Sequence, residues 1–141
     1  MMLGRRHEVA DLAAFEALAR TFARTLRPGD VVALEGDLGA GKTTFVAAVA
    51  RELGAADEVA SPTFVFRHRY AGAPPIEHLD LYRIEHPAET VELGLHEALA
   101  ADAITFVEWP ERLPGFVPAG AIRVRIAGCG TAPRVLEIER A

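Results

Sequence analysis

The residues Gly36, Asp37, Leu38, Gly39, Ala40, Gly41, Lys42 and Thr43 satisfy the pattern G-x-x-x-x-G-K-[ST], and Thr44 follows directly. Glycines at these positions let the backbone wrap so that successive N–H groups converge on phosphate oxygens. A helix beginning at the lysine adds the positive end of its dipole. Lys42 is the only lysine in the chain, and every other strong cation is arginine. A compact ammonium on a flexible stem sits between phosphates as a point charge, whereas a planar guanidinium fits a tight loop poorly. Thr43 offers a hydroxyl of the kind that Mg²⁺ takes as a ligand. The chemistry indicated is the binding of a nucleoside triphosphate, with the loop contacts running from Gly36 to Thr44.

Bound phosphate does not define a reaction, which needs acids for metal and water and a group that senses the γ-phosphate. "ITFVE" ends an apolar run in Glu108, a Walker-B-like arrangement that sets a carboxylate beside the loop when two parallel strands are neighbours. Asp80, in "HLDLYR", is the second candidate acid. "SPTF" holds Ser61, the only serine, and Thr63, whose hydroxyl has the character of a switch threonine. Trp109 follows Glu108 and belongs either at the edge of the site or in core packing. His68, His78 and His96 lack metal-ligand spacing, which argues against zinc. The basic cluster "RHR", Arg67 to Arg69, reads as a solvated strand face.

These residues need a frame. Asp11 is placed to cap a helix with Leu12, Phe15, Leu18, Ala19, Phe22 and Leu26 on one face, ended by "RPGD". "VVALEG" reads as a strand buried on both faces, and "TTFVAAVARELG" as a helix stopped by Gly54. The phosphate loop therefore joins a strand to a helix. Residues 63–70 and 76–83 are β-rich and predict a hairpin across "AGAPP". Residues 87–100 predict a helix with Val91, Leu95 and Leu99 on one face, and residues 103–109 a second buried strand. The tail alternates Ile122, Val124 and Ile126, turns, and resumes with Val135 and Ile138, as an antiparallel hairpin does. The expected fold is α/β: a P-loop NTPase-like three-layer arrangement with a parallel core sheet and antiparallel hairpins at its edges.

The 141 residues, half of them apolar, suit a single domain spanning 1–141. A net charge of −5 supplies no basic face for nucleic acid, so contact with RNA is expected to be indirect. No apolar run approaches membrane-spanning length, Glu8 and Asp11 interrupt any leader, and the expected location is cytoplasmic. Cys129, the one cysteine, lies between Gly128 and Gly130 and is expected in a turn without a role.

Taken in order and spacing, "GDLGAGKTTF", "SPTF", "HLDLYR", "ELGLHEAL" and "VEWPER" resemble the TsaE (YjeE) family, ATPase subunits of the bacterial machinery that makes threonylcarbamoyladenosine beside the tRNA anticodon. The resemblance spans nearly the whole chain. It implies ATP and Mg²⁺ as ligands and association with TsaD and TsaB, with TsaE needed for the transferase to cycle rather than for the transfer. By motif it implies that Lys42 contacts phosphates, Thr43 and Glu108 hold Mg²⁺, Asp80 and Thr63 line the catalytic site, and Trp109 lies beside them. It also places the Val9 to Asp11 segment and Arg134 near adenine. A partner-activated ATPase, slow alone, stands against two alternatives, a small-molecule kinase and a nucleotide-controlled scaffold. The kinase is disfavoured by the few residues between the P-loop helix and "SPTF", which leave little room for a lid. A guanine-reading Asn-Lys-x-Asp motif is impossible in a chain without Asn, which favours ATP over GTP.

Overall fold

The computed structural model describes residues 5–55, 59–99 and 102–140. In chain order the elements are β1 (Arg6–Val9), α1 (Leu12–Ala23), β2 (Val31–Glu35), α2 (Lys42–Glu52), β3 (Arg67–Tyr70), β4 (Ile76–Asp80), α3 (Glu89–Glu92), β5 (Ile104–Glu108), β6 (Ile122–Ala127) and β7 (Arg134–Arg140). Short 3-10 helices span Leu95–Leu99 and Pro110–Arg112. The seven strands form one sheet in the order β1-β7-β6-β2-β5-β4-β3. The four central strands run parallel, and β1, β7 and β3 pair antiparallel at the two sides. The expected α/β class and its antiparallel edges are therefore present.

Helices α1 and α2 cover one face of the sheet. Asp11 caps α1 by accepting from the Ala14 amide at 2.9 Å, and Phe22 packs on Phe45 of α2 with ring centroids 5.5 Å apart. Val32, Leu34, Ile104 and Phe106 complete this cluster, all but inaccessible to solvent. A smaller cluster on the opposite face joins Leu79 and Val107 to Leu95, Leu113 and Phe116. Strand alternation therefore divides β5 between two buried layers, which is why it reads as a continuous apolar run.

Several local expectations change. The opening segment forms β1, a polar strand paired with β7 whose sequence carries no apolar alternation. The strand expected from Thr63 begins only at Arg67. Phe66 takes a left-handed backbone (φ 69°), and the Val65 and Phe66 amides donate to the Pro62 carbonyl, so Thr63 to Phe66 is a tight turn with Phe64 77% exposed. The second strand of that hairpin stops at Asp80. The helix expected over 87–100 is broken at Gly94 (φ 65°) into α3 and a 3-10 turn, and Val91 is exposed instead of sharing a face with Leu95. The end of that expected helix at Ala100 lies outside the described residues. In β7 the core positions are Leu136 and Ile138, two apart as a pleat demands, rather than Val135 and Ile138. Among the described residues, no helix is long and apolar enough to cross a membrane.

The "RHR" cluster is only in part a solvated face: Arg69 is exposed, but its guanidinium and that of Arg67 are tied to a buried acid. Arg67 and Arg69 both donate to the carboxylate of Glu77, which is 0% exposed, at 2.6 to 3.0 Å, and Arg67 also donates to the Gly94 carbonyl at 3.2 Å. Hydrogen bonds to Glu77 hold both guanidinium pKa values above the ordinary arginine value. This node ties the β3–β4 hairpin to the broken helix. Glu77→Ala leaves one partly buried guanidinium, Arg67, and one exposed guanidinium, Arg69, without their shared anion, and should lower the unfolding free energy by about 2 kcal/mol. Urea denaturation checks this; a loss under about 1 kcal/mol would show that the node behaves as an exposed ion pair.

Candidate phosphate and nucleotide site

Sheet order builds the site. β4 and β5 are adjacent parallel strands whose register sets Asp80 beside Glu108, and β5 in turn neighbours β2, which runs into the glycine loop. All three strands therefore deliver their last residues to one edge. Gly36 leaves β2 so close to β6 that a Cβ there would meet the Ile126 carbonyl oxygen at 2.8 Å. Gly41, in the left-handed region (φ 110°), starts α2 with no side-chain cap, so the first amides of the helix are left to a ligand.

Lys42 opens α2 and is buried, with 5% of its surface exposed. Its ammonium donates to the carbonyls of Gly36 and Asp37 and lies 3.9 Å from the centroid of the Trp109 ring. Burial pushes the Lys42 pKa below its ordinary value, and the charges of Glu108, Glu111, Asp80 and Asp37 oppose that shift. Thr43 donates to Glu108 Oε2 at 2.9 Å. Thr63 donates to Asp80 Oδ2 at 2.7 Å, while the Tyr82 amide donates to Oδ1 at 2.8 Å. Burial raises the Asp80 pKa, against those two hydrogen bonds, and the neighbouring Glu108 charge adds to the rise.

Lys42, Thr43, Thr44, Ser61, Thr63, Asp80, Glu108 and Trp109 line one polar cleft of about 330 Å³ together with Leu38, Gly39 and Gly41. A second cleft of about 370 Å³ shares Gly41 and Thr44 with it and is lined by Val9, Asp11, Leu12, Phe15, Ala40, Thr131 and Arg134 among others. A charged lobe joined to a more apolar lobe matches the two ends of a nucleotide. Gly36 and Asp37 line neither lobe; their carbonyls hold the ammonium instead. A larger groove of about 590 Å³, beside Pro110, Val117 and Arg123, contains none of these groups.

Trp109 stands at the site's edge through an unusual backbone. It is a non-glycine residue at φ 59°, and the turn so made sets its indole against Lys42 and against Tyr82, 4.9 Å between centroids. Sequence reasoning missed His78. Its Nε2 is 2.5 Å from Glu108 Oε2, and its Nδ1 is 3.1 Å from the Tyr70 hydroxyl, which donates to the Ala60 carbonyl just ahead of Ser61. Its position two residues before Asp80 puts it on the same strand face, but only the β4–β5 register brings it to Glu108.

Among the described residues, no group of three His, Cys, Asp or Glu side chains forms a metal cage. A hydroxyl from Thr43 and a carboxylate from Glu108 are hard oxygen donors, and they fit a small divalent cation that takes most of its remaining ligands from water and substrate phosphates.

A family model described as "Threonylcarbamoyl adenosine biosynthesis protein TsaE" matches residues 9–135. The chain is 39% identical over 120 residues to the tRNA threonylcarbamoyladenosine biosynthesis protein TsaE of Bacillus subtilis (strain 168), covering 84% of this chain and 75% of that one. It is 40% identical over 110 residues to the protein of the same name from Rickettsia bellii, covering 77% and 76%. Among solved structures, the crystal structure of Bacillus subtilis YdiB superposes with a TM-score of 0.80 at 28% identity, over 100% of this chain and 89% of that one.

The raised pKa of Asp80 has a definite sign in stability. A carboxyl that binds its proton more tightly when folded contributes stability below its unfolded value, and that contribution is lost as pH rises through the folded value. Asp80→Asn removes the buried charge, so it should raise the melting temperature at neutral pH by about 3 °C for each kcal/mol relieved. The gain should vanish below the ordinary aspartate value of 3.8. Melting curves across pH check this; a variant less stable than the wild type at neutral pH would contradict it.

Proposed function

The chain belongs to the TsaE family of threonylcarbamoyl adenosine biosynthesis proteins, and on that premise we propose that it binds ATP with Mg²⁺ and hydrolyses it slowly, to support turnover of the transferase complex that modifies adenosine beside the tRNA anticodon. The observation that carries this reading is the convergence of Lys42, Thr43, Thr63, Asp80 and Glu108 on one cleft.

Each group has a role in such a reaction. The loop amides and Lys42 would neutralise the β- and γ-phosphates; Thr43 and Glu108 would hold Mg²⁺, which would supply further charge neutralisation when bound. Asp80 has a raised pKa and so accepts a proton more readily than an ordinary aspartate. It orients water whose oxygen attacks the γ-phosphorus as the bond to the bridging oxygen breaks and ADP departs. Thr63, bonded to Asp80, carries the "SPTF" turn to the same point. Val9, Asp11 and Arg134 belong to the lobe assigned to adenine.

Phe64, Val65 and Tyr82 are exposed beside the polar cleft. TsaD and TsaB are the partners assigned to this surface, where they would complete the wall that excludes water. A chain of net charge −5 contacts tRNA through them and not directly.

Phosphate release from ATP, measured with TsaD and TsaB titrated from absent to saturating, tests the reading. The expected result is slow release alone, a marked rise with partners, and at least a ~100-fold loss in Asp80→Asn with nucleotide still bound. Glu108→Gln should instead raise the Mg²⁺ needed for half-maximal binding. Release that ignores both the partners and Asp80→Asn would contradict the proposal.

A further inference from the structure

A loop that turns its amides inward toward phosphate must turn carbonyls outward, and an outward carbonyl that is buried needs a donor. Ala40, at the tip of the phosphate loop, is 1% exposed. Its carbonyl accepts from Arg134 Nε at 2.8 Å, and the adjacent Gly39 carbonyl lies 3.4 Å from Arg134 Nη2. The rest of the guanidinium is also engaged: Nη2 donates to Gly130 O at 2.9 Å, and Nη1 donates to Ala132 O. Four backbone carbonyls, two from the phosphate loop and two from the β6–β7 turn, thus share one planar fork.

The turn is shaped to hold it. Gly128 has φ 117°, and a Cβ there would stand 2.6 Å from the Pro133 carbonyl oxygen and 3.0 Å from Arg134 Cδ, so the arginine stem crosses where a side chain would otherwise be. Residues 39–40 lie in the loop between β2 and α2 and residues 130–133 in the turn between β6 and β7, remote from one another in sequence. We propose that Arg134 is a positioning residue that clamps the phosphate loop to the β6–β7 turn, holding the loop's amides in their phosphate-binding conformation before any ligand arrives. Lysine cannot substitute, because a single ammonium with three donors does not span four carbonyls in one plane. The clamp serves the phosphate lobe, a task separate from any contact Arg134 makes with a base, and it rests on the phosphate-binding reading above only for its ligand arm.

Two measurements on the full chain test it. In the ligand-free protein, hydrogen exchange of Arg134→Lys should be about tenfold faster than wild type at residues 38–41 and 129–132 together, with the β2 amides unchanged. Titration with inorganic tripolyphosphate, which has no base, should show about the same tenfold loss of affinity as titration with ATP. A loss seen with ATP alone would overturn the clamp and leave Arg134 a base contact. Faster exchange spread over the whole chain would make Arg134 a general stability residue, and unchanged exchange at residues 38–41 would make its fork passive. If the wild type bound neither ligand, the phosphate-site reading would fall, and the exchange arm would still decide the clamp.

Discussion

The burial of one ammonium group governs this molecule. Lys42 is placed with little access to water at the start of a helix, against the helix dipole, and burial lowers its pKa accordingly. The surroundings that make this tolerable are specific: two loop carbonyls, an indole face, and the carboxylates Asp80 and Glu108 nearby. The ammonium's direct contacts, however, are carbonyl oxygens and an aromatic ring, weak company for a full charge. Phosphate oxygens would be better company, which supports the proposed reading of Lys42 as a phosphate-binding cation.

The architecture around Lys42 follows from that need. Parallel pairing of β2, β5 and β4 brings the loop, Glu108 and Asp80 to the same sheet edge without any of them leaving regular structure. The acids are buried, and their hydrogen bonds come from Thr43, Thr63, His78 and the Tyr82 amide. The threonines and His78 belong to three different segments, so the carboxylates double as joints of the fold. Glu77 does the same outside the site, gathering Arg67 and Arg69 from the next strand. A buried anion that loses a partner costs far more than an exposed one, which makes these joints selective for their particular neighbours.

How legible each feature was in the sequence depends on whether its cause is local. The glycine loop, the Asp11 cap and the strand ending in Glu108 rest on spacing and on residue types, and each stands where the pattern puts it. Asp80 was legible as a candidate acid in "HLDLYR", but not as the end of its strand, which the pattern carried on to residue 83. His78 was not, because its importance comes from the register of β4 against β5, which no window of sequence contains. The two arginines of "RHR" look like any exposed basic pair until the hairpin sets Glu77 opposite Arg69 and within diagonal reach of Arg67. Thr63 to Phe66 carries strand-forming residues, and the tertiary bond from Thr63 to Asp80 and the turn at Pro62 overrule that preference. Gly94 stops a helix that apolar periodicity would have continued, an instance of backbone freedom outweighing pattern.

The most direct test of the central claim uses the lone tryptophan, since the Lys42 ammonium lies over the Trp109 ring. A ligand that draws the ammonium to phosphate must change the environment of that indole. Titrating Mg-ATP while following the intrinsic emission, with the affinity measured independently by calorimetry, should give a saturable change whose midpoint equals the calorimetric dissociation constant. Binding by calorimetry with no change in emission would contradict the account, because it would separate the phosphate site from the lysine on which the structure is built.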